Sequence, residues 1–475
     1  MKVAGLITEY NPFHNGHLIH IEEAKRLTKA DCLVVVMSGS FVQRGEPAVM
    51  DKYLRTKIAL MAGADLVIEL PAPFSCGSAE YFAGAGVAIL DKLGVVDSLV
   101  FGSECGDVDA LTAIAKVLAD EPQEFKVLIA EALKCGMPYP AAVSKAVSKY
   151  INTCANSTDV LGQFDAHIAY NNNDFPNLNS YYEHNDYINH IDNILAEPNN
   201  MLGIEYIKAL IKRGSNIKPV TYKRNGSYND TALSCEYPSA SALRAALFNR
   251  PDIDTLAELL KSTVPPYAAE IMLENYNRTF PVSIDDFSNQ LTYLLLSKTE
   301  EDLTVFSDVS RDIESRIKKS AKTAATCSGI IDAAKTKAFT RTRISRCLMH
   351  ILLNIKAADM DNYKHNNDFI SYARILGFRK DSSALLSAIK KQASIPLITK
   401  LAGYEDILND ADIKILGTEI FASDIFQAAV LYRQEKVSPA VKADGTDNAG
   451  SADNADNREN KMPPANEFTR GVIII

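Results

Sequence analysis

No Cys-x-x-Cys pair occurs among the eight cysteines, at positions 32, 76, 105, 135, 154, 235, 327 and 347. That scatter argues against a zinc knuckle and a disulfide framework, and points to reduced thiols. No apolar run reaches the roughly 18 residues that span a bilayer. The N-terminus, MKVAGLITEYNPF, meets polar residues too early for a signal peptide. Positive charge is in short supply: 50 Lys and Arg stand against 59 Asp and Glu, a net charge of −9. A generic polyanion binder is excluded, so any RNA or phosphate contact must come from a local basic patch. A cytoplasmic protein with no membrane association is the expectation.

The 475 residues suffice for two or three domains, and 47% hydrophobic residues supply a core without metal or disulfides. Val3–Thr8, Cys32–Met37, Ala64–Leu70 and Ser98–Phe101 read as short buried strands. Helical spacing appears between them, over His17–Thr28 (Leu18, Ile21, Ala24, Leu27), Lys52–Ala62 and Ala79–Leu93. Continuous apolar strands alternating with helices predict an α/β, Rossmann-like parallel sheet covered on both faces, with ligands at the C-terminal strand ends. Residues 108–150 read as helix. Residues 153–190 are dominated by Asn, Tyr, His and Asp and read as an inserted, poorly ordered loop. A helix follows at Leu202–Lys212, a strand near Ile217–Tyr222 and a helix from Ser239 to Phe248. From 252 to 435 the pattern is helical throughout, and 437–467 reads as a disordered tail. The expected division is a catalytic domain over 1–250, a mainly α-helical domain over 251–435, and a mostly disordered tail over 436–475.

The densest chemistry lies at Asn11-Pro-Phe-His-Asn-Gly-His17, between the first strand and the first helix. A helix N-terminus offers amide N–H groups and a positive dipole end to phosphates. Gly16 lets the backbone come close to a nucleotide. His14 and His17 can hydrogen-bond phosphate oxygens and stabilise charge in a transition state. Phosphoryl chemistry is mostly positioning and electrostatics, so no strong nucleophile is required. Further on, Ser239-Ala-Ser-Ala-Leu-Arg244 opens a helix. Ser239 is placed to cap it, with Ser241 and Arg244 as phosphate contacts. No carboxylate cluster announces a metal site, so no protein metal ligands are expected.

Between 311 and 346, ten Lys and Arg face three acids in a chain that is acidic as a whole. Arg341, Arg343 and Arg346 lead into an apolar helix and are candidate RNA phosphate contacts. Phe339 or Tyr372 could stack on an unpaired base or sit in the core.

The strand–HNGH–helix arrangement resembles the HxGH signature of the HIGH-type nucleotidyltransferases, and SASALR resembles their second, SSTxIR-like motif. Seven segments together closely resemble the bacterial tRNA(Met) cytidine acetate ligases. They are GLITEYNPFHNGH (5–17), SGSFVQRGEPAVMDKYLRTKIAL (38–60), GADLVIELP (63–71), FGSECGD (101–107), EPNNMLGIEYIKAL (197–210), SASALR (239–244) and FTRTRISRCLMHILL (339–353). The resemblance implies a ligase forming a C–N bond. Acetate is activated with ATP as acetyl-AMP, and the acetyl group passes to N4 of the wobble cytidine of elongator tRNA(Met), giving N4-acetylcytidine. It implies Mg-ATP and acetate as co-substrates, tRNA as partner, and no obligate protein partner. Carried over residue by residue, the ATP contacts are Ile7, Thr8, Glu9, Tyr10, Asn11, Pro12, Phe13, His14, Asn15, Gly16, His17, Leu18, Ile19 and His20, then Gly102, Asn199 (rather than Asn200) and Arg224. His14 and His17 carry the catalytic role. Where the family has an apolar residue and a histidine near Arg224, this chain has Asn225 and Asn229. Alternative readings are a small-molecule adenylyltransferase, a non-catalytic RNA-binding protein, and an acetyl-CoA-dependent acetyltransferase. The first leaves the basic helical half unexplained. Intact His14, Gly16, His17 and Arg244 argue against the second, and no pyrophosphate-binding loop supports the third.

Overall fold

The apolar runs do become strands, with almost every side chain buried. In a computed structural model of the chain, β1 (Val3–Thr8) and β2 (Cys32–Ser38) run parallel with Thr8 opposite Met37. β3 (Phe41–Val42) and β4 (Glu46–Pro47) pair as a small separate hairpin. β5 (Leu66–Leu70) lies parallel to β2, and β6 (Ser98–Ser103) starts beside β1. The intervening helices are α1 (Asn15–Thr28), α2 (Lys52–Met61), α3 (Ala72–Ser75) and α4 (Ala79–Lys92). Because β1, β2 and β5 point the same way, the loops at 9–14, 39–51 and 71–78 all leave from one sheet edge, where such folds place ligands.

The structure describes residues 1–137, 139–155, 191–224, 239–437 and 466–475. The insertion expected at 153–190 falls almost entirely outside the described residues, as do residues 438–465 of the tail and Asn225, Gly226 and Asn229. The described chain forms two compact units, Met1–Val100 with Asn229–Ile475, and Phe101–Tyr228. The first holds sheet order β10-β8-β5-β2-β1-β6. In the second, the end of β6 neighbours β7 (Lys218–Lys223), with helices Val108–Asp120, Gln123–Lys134, Tyr139–Ala155 and Pro198–Arg213.

One expectation is corrected here. The stretch from 252 to 435 is not helical throughout: β8 (Ala373–Phe378) is a buried strand, antiparallel to β5, with β9 (Leu397–Ile398) beside it. A six-residue strand flanked by helices has too few residues to break a helical reading. Beyond the tail, β10 (Ile473–Ile474) pairs with β8. β8 and β10 join the first unit's sheet.

Long helix Asp410–Val437 contains a stretch, Asp410–Gln434, long and apolar enough to cross a membrane by length and composition. Its apolar side chains Ile415, Leu416, Ala422 and Phe426 are buried in the protein. Its polar ones have partners there. Gln427 donates to Asp51 at 2.9 Å, and Asp412 accepts from Ser371 N at 3.0 Å.

Glu419 of this helix enters a buried ion cluster at the loop edge of the sheet. Lys52 Nζ lies 2.5 Å from Glu69, 3.0 Å from Glu419 and 3.1 Å from Glu467. Arg374 reaches Glu69 at 3.0 Å and also contacts Glu467. Three carboxylates thus face two cations. Burial, reinforced by Glu69, raises the Glu419 carboxyl to about 8, with Lys52 opposing. The folded chain therefore holds a proton here that the unfolded chain releases, and stability falls as pH rises from the ordinary glutamate range through about 8. We expect the urea midpoint to drop between about pH 6 and about pH 9, and to drop less in Glu419→Gln. Equal drops in both proteins would contradict the assignment.

Candidate active site

β1 delivers the chain to the sheet edge, and Tyr10 turns it with φ +49°. Fully buried Tyr10 then packs edge-on against Phe13 and His17, with ring centroids 4.9 and 5.0 Å apart. His14 is the N-cap of α1 in extended conformation. Its Nδ1 accepts from Gly16 N at 3.0 Å, and its own backbone N–H donates to Nδ1 of His17 at 3.3 Å. The two rings stand 3.9 Å apart. A backbone N–H can only donate, so each Nδ1 is an acceptor and each ring carries its proton on Nε2. The two histidines thus orient one another through the first helical turn.

This arrangement changes two sequence arguments. The role expected of Gly16 was close approach to a nucleotide, but its immediate constraint is internal. A Cβ there would lie 2.8 Å from Cε1 of His14. The amides of the first turn are also partly engaged already, Gly16 N by the His14 ring and His17 N by the His14 carbonyl at 2.8 Å.

The loop is held from three sides. Arg55 is fully buried and donates to the carbonyls of Glu9 (2.7 Å), Ser38 (3.0 Å), Met50 (3.0 Å) and Gly39. Burial lowers its pKa to about 10. Asn11 accepts from Val49 N at 2.7 Å through Oδ1. His20 places a ring nitrogen 3.2 Å from the Val100 carbonyl. Among the described residues, Thr8 Oγ1 and Asn11 Nδ2 are buried with no hydrogen-bond partner. Unmet buried polar atoms are uncommon and concentrate at sites that a ligand or water completes.

Ser239 caps helix Ala240–Phe248, accepting from Ala242 N at 3.1 Å, as its sequence predicts. Arg244 is buried and donates to the Asn11 carbonyl at 2.9 Å and to Ser241 Oγ at 3.3 Å. The expected phosphate pair therefore braces the HNGH loop. Thr8, Glu9, Asn11, His14, His17, Ser241 and Arg244 are brought together within the first unit, and Arg55 was missed. A lone arginine in a helix carries no local pattern to mark it.

The second unit gathers Gly102, Asn199 and Arg224. A Cβ at Gly102 would meet Cγ of Arg224 at 2.8 Å. Arg224 donates to Asn199 Oδ1 at 3.3 Å, and Asn199 Nδ2 donates to Glu104 at 2.5 Å. Glu104 also accepts from Asn200 N at 2.8 Å, satisfying an amide in the first turn of helix Pro198–Arg213. Asn200 is buried and holds the 104–105 turn through Oδ1. Glu104 was not singled out from sequence.

On the basic helix, Arg341 pairs with Asp332, and Arg346 reaches Asp308 at 2.7 Å. Arg343 lies over the Phe339 ring at 5.5 Å. Tyr372 is core, fully buried, and no base can stack on it. Among the described residues, no group of three or more His, Cys, Asp or Glu could hold a metal ion.

A mainly parallel sheet whose first strand opens through His-x-Gly-His into a helix defines a nucleotidyltransferase of the HIGH class. The sequence profile described as HIGH Nucleotidyl Transferase matches residues 1–438. A tRNA(Met) cytidine acetate ligase of Acetivibrio thermocellus is 40% identical over 90% of this chain and 94% of its own length. One from Thermoanaerobacter sp. (strain X514) is 38% identical, covering 90% and 96%. A crystal structure of Thermotoga maritima TmcAL bound with alpha-thio ATP is similar with TM-score 0.77 and 29% identity, covering 91% of this chain and 96% of that one. This chain belongs to the tRNA(Met) cytidine acetate ligase family.

Proposed function

We propose that the protein ligates acetate to N4 of the wobble cytidine of elongator tRNA(Met) at the expense of ATP. A carboxylate oxygen of acetate attacks the α-phosphorus, and the bond to pyrophosphate breaks with its electron pair leaving on pyrophosphate. The N4 amine then attacks the acetyl carbon. The bond to AMP breaks, AMP leaves with that pair, and the amine yields a proton to water. Acetate is a poor acyl donor, and the mixed anhydride supplies the leaving group.

The observation that carries this reading is the pair of histidines whose Nδ1 atoms both accept backbone N–H groups, which puts each ring proton on Nε2. Two such donors on a rigid helix start suit phosphate oxygens whose charge grows during displacement. Ile7–His20 form the surrounding ATP-binding stretch. The ATP role of Gly102, Asn199 and Arg224 rests on the resemblance and on their closeness, with Arg224 donating to Asn199 and lying against Gly102. Arg244 acts through Asn11 as a positioning residue. ATP enters as its Mg²⁺ complex, with acetate and tRNA as the other substrates, in the cytoplasm. Acetate-dependent ATP–pyrophosphate exchange without tRNA tests the first half-reaction. Exchange that ignores acetate would favour a simple adenylyltransferase.

Arg341, Arg343 and Arg346, in the mainly helical part of the chain over 251–435, are the proposed tRNA phosphate contacts. Arg341→Ala/Arg343→Ala should raise the KM for tRNA about tenfold and flatten its salt dependence by about two charges. An unchanged salt slope would remove these arginines from the interface.

A further inference from the structure

The β3–β4 hairpin carries an assignment that neither the HxGH signature nor the basic helix supplies. Its loop is Gln43-Arg44-Gly45, closed by Gly45 N donating to the Val42 carbonyl at 2.9 Å. Gly45 adopts φ +72°, and a Cβ there would lie 2.3 Å from the backbone N of Arg346. Only glycine permits that turn and that closeness together. Ser345 Oγ, buried, donates to the Gly45 carbonyl at 2.7 Å. The hairpin tip is thus seated on helix Arg341–Leu352, whose first turn holds Arg341 and Arg343.

Its other attachments run to the nucleotide loop. Gln43 N donates to the Glu9 carboxylate at 2.9 Å, and Val49 N, just past the hairpin, donates to Asn11. Phe41 anchors the base, fully buried, with its carbonyl accepting from Ser75 at 2.7 Å. Gln43 and Arg44 are partly exposed between buried neighbours. One short rigid element therefore joins the loop that leads into His14 to the helix that carries the basic residues.

An acceptor base has demands that this element meets. Cytosine must turn its N4 amine toward the acyl carbon, leaving O2 and N3 as acceptors on the same edge. A guanidinium fork and an amide N–H₂ are the donors that match such an edge. Uracil carries a proton on N3 and would oppose a donor there. We propose that Gln43 and Arg44 receive the acceptor cytidine, with Arg44 determining specificity for cytosine by donating to its O2/N3 edge. This assignment rests on the ligase reading and names where its RNA base is held.

The test uses full-length protein and two transcripts of tRNA(Met), one with wobble cytidine and one with wobble uridine. Wild type, Arg44→Ala and Arg44→Lys are compared in three measurements: tRNA KM, competition by the uridine transcript, and acetate-dependent exchange. Thermal melting controls for folding. For Arg44→Ala we expect the tRNA KM to rise about tenfold or more, exchange to stay within about twofold, and the uridine transcript to compete as well as the cytidine one. Arg44→Lys should not restore discrimination, because an ammonium lacks the fork. Unchanged KM and discrimination in Arg44→Ala would overturn the assignment. So would weaker binding of both transcripts alike with rescue by lysine, which marks a phosphate contact. Lost exchange would place Arg44 with the nucleotide instead. A wild-type protein that forms acetyl-AMP yet distinguishes neither transcript overturns the base pocket alone. Wild type with no acetate-dependent exchange and no tRNA binding overturns the ligase reading and this assignment with it.

Discussion

His17→Ala is expected to lower acetate-dependent ATP–pyrophosphate exchange by about 10²–10³-fold, the usual cost of deleting one donor aimed at transition-state charge. The variant loses more than one donor. His17 Nδ1 is the acceptor for the His14 backbone N–H, and its ring stacks 3.9 Å from that of His14. His14→Ala should be at least as severe, because it also removes the acceptor for Gly16 N and half of the helix cap. His17→Asn keeps a side-chain acceptor for the cap without an imidazole. It should therefore retain wild-type thermal stability while still losing exchange. If His17→Ala instead shows near-normal kcat with a raised KM for ATP, His17 binds the ground state and has no special role in the displacement.

Lys52→Met should be the most damaging single change to stability, at about 3–5 kcal/mol, the range for breaking a buried ion pair. Three carboxylates converge on Lys52, and burial alone would lower its pKa. Glu467, Glu69 and Glu419 overcome that and raise it. Without the ammonium, Arg374 still reaches Glu69 and Glu467, and Glu419 loses the cation that pairs with it at 3.0 Å. At about pH 9, keeping Glu419 buried means either a poorly paired charge or a proton held against the solution, and Glu419→Gln removes that cost, so the double variant should recover part of the loss in urea unfolding there. If the two changes simply add, the cluster does not act as a unit.

Much of this site was legible because its signals are local. VAGLIT is a buried run followed at once by HNGH, and Leu18, Ile21, Ala24 and Leu27 repeat at helical spacing within a few residues. The parallel sheet followed from four such runs. What escaped depends on residues far apart in the chain. Glu467 lies in a polar tail and gives no hint that it meets Lys52 and Arg374. ARILGF, the β8 strand, is too short to overrule the helices around it, and β5 accepts it only through long-range pairing. Arg244 was correctly placed at a helix start beside Ser241, yet its bond to the Asn11 carbonyl could not be read from SASALR. Gln43-Arg44-Gly45 has the composition of a tight turn, but its seat on Ser345 joins positions three hundred residues apart.

The most direct measurement follows labelled acetate. Purified protein, ATP and labelled acetate are incubated with unmodified elongator tRNA(Met), and the nucleosides are separated after digestion. Label should appear as N4-acetylcytidine with wild type and enter about 10²–10³-fold more slowly with His17→Ala. Label entering the RNA at the wild-type rate with the His17 variant, or none with wild type while free acetyl-AMP accumulates, would contradict the account.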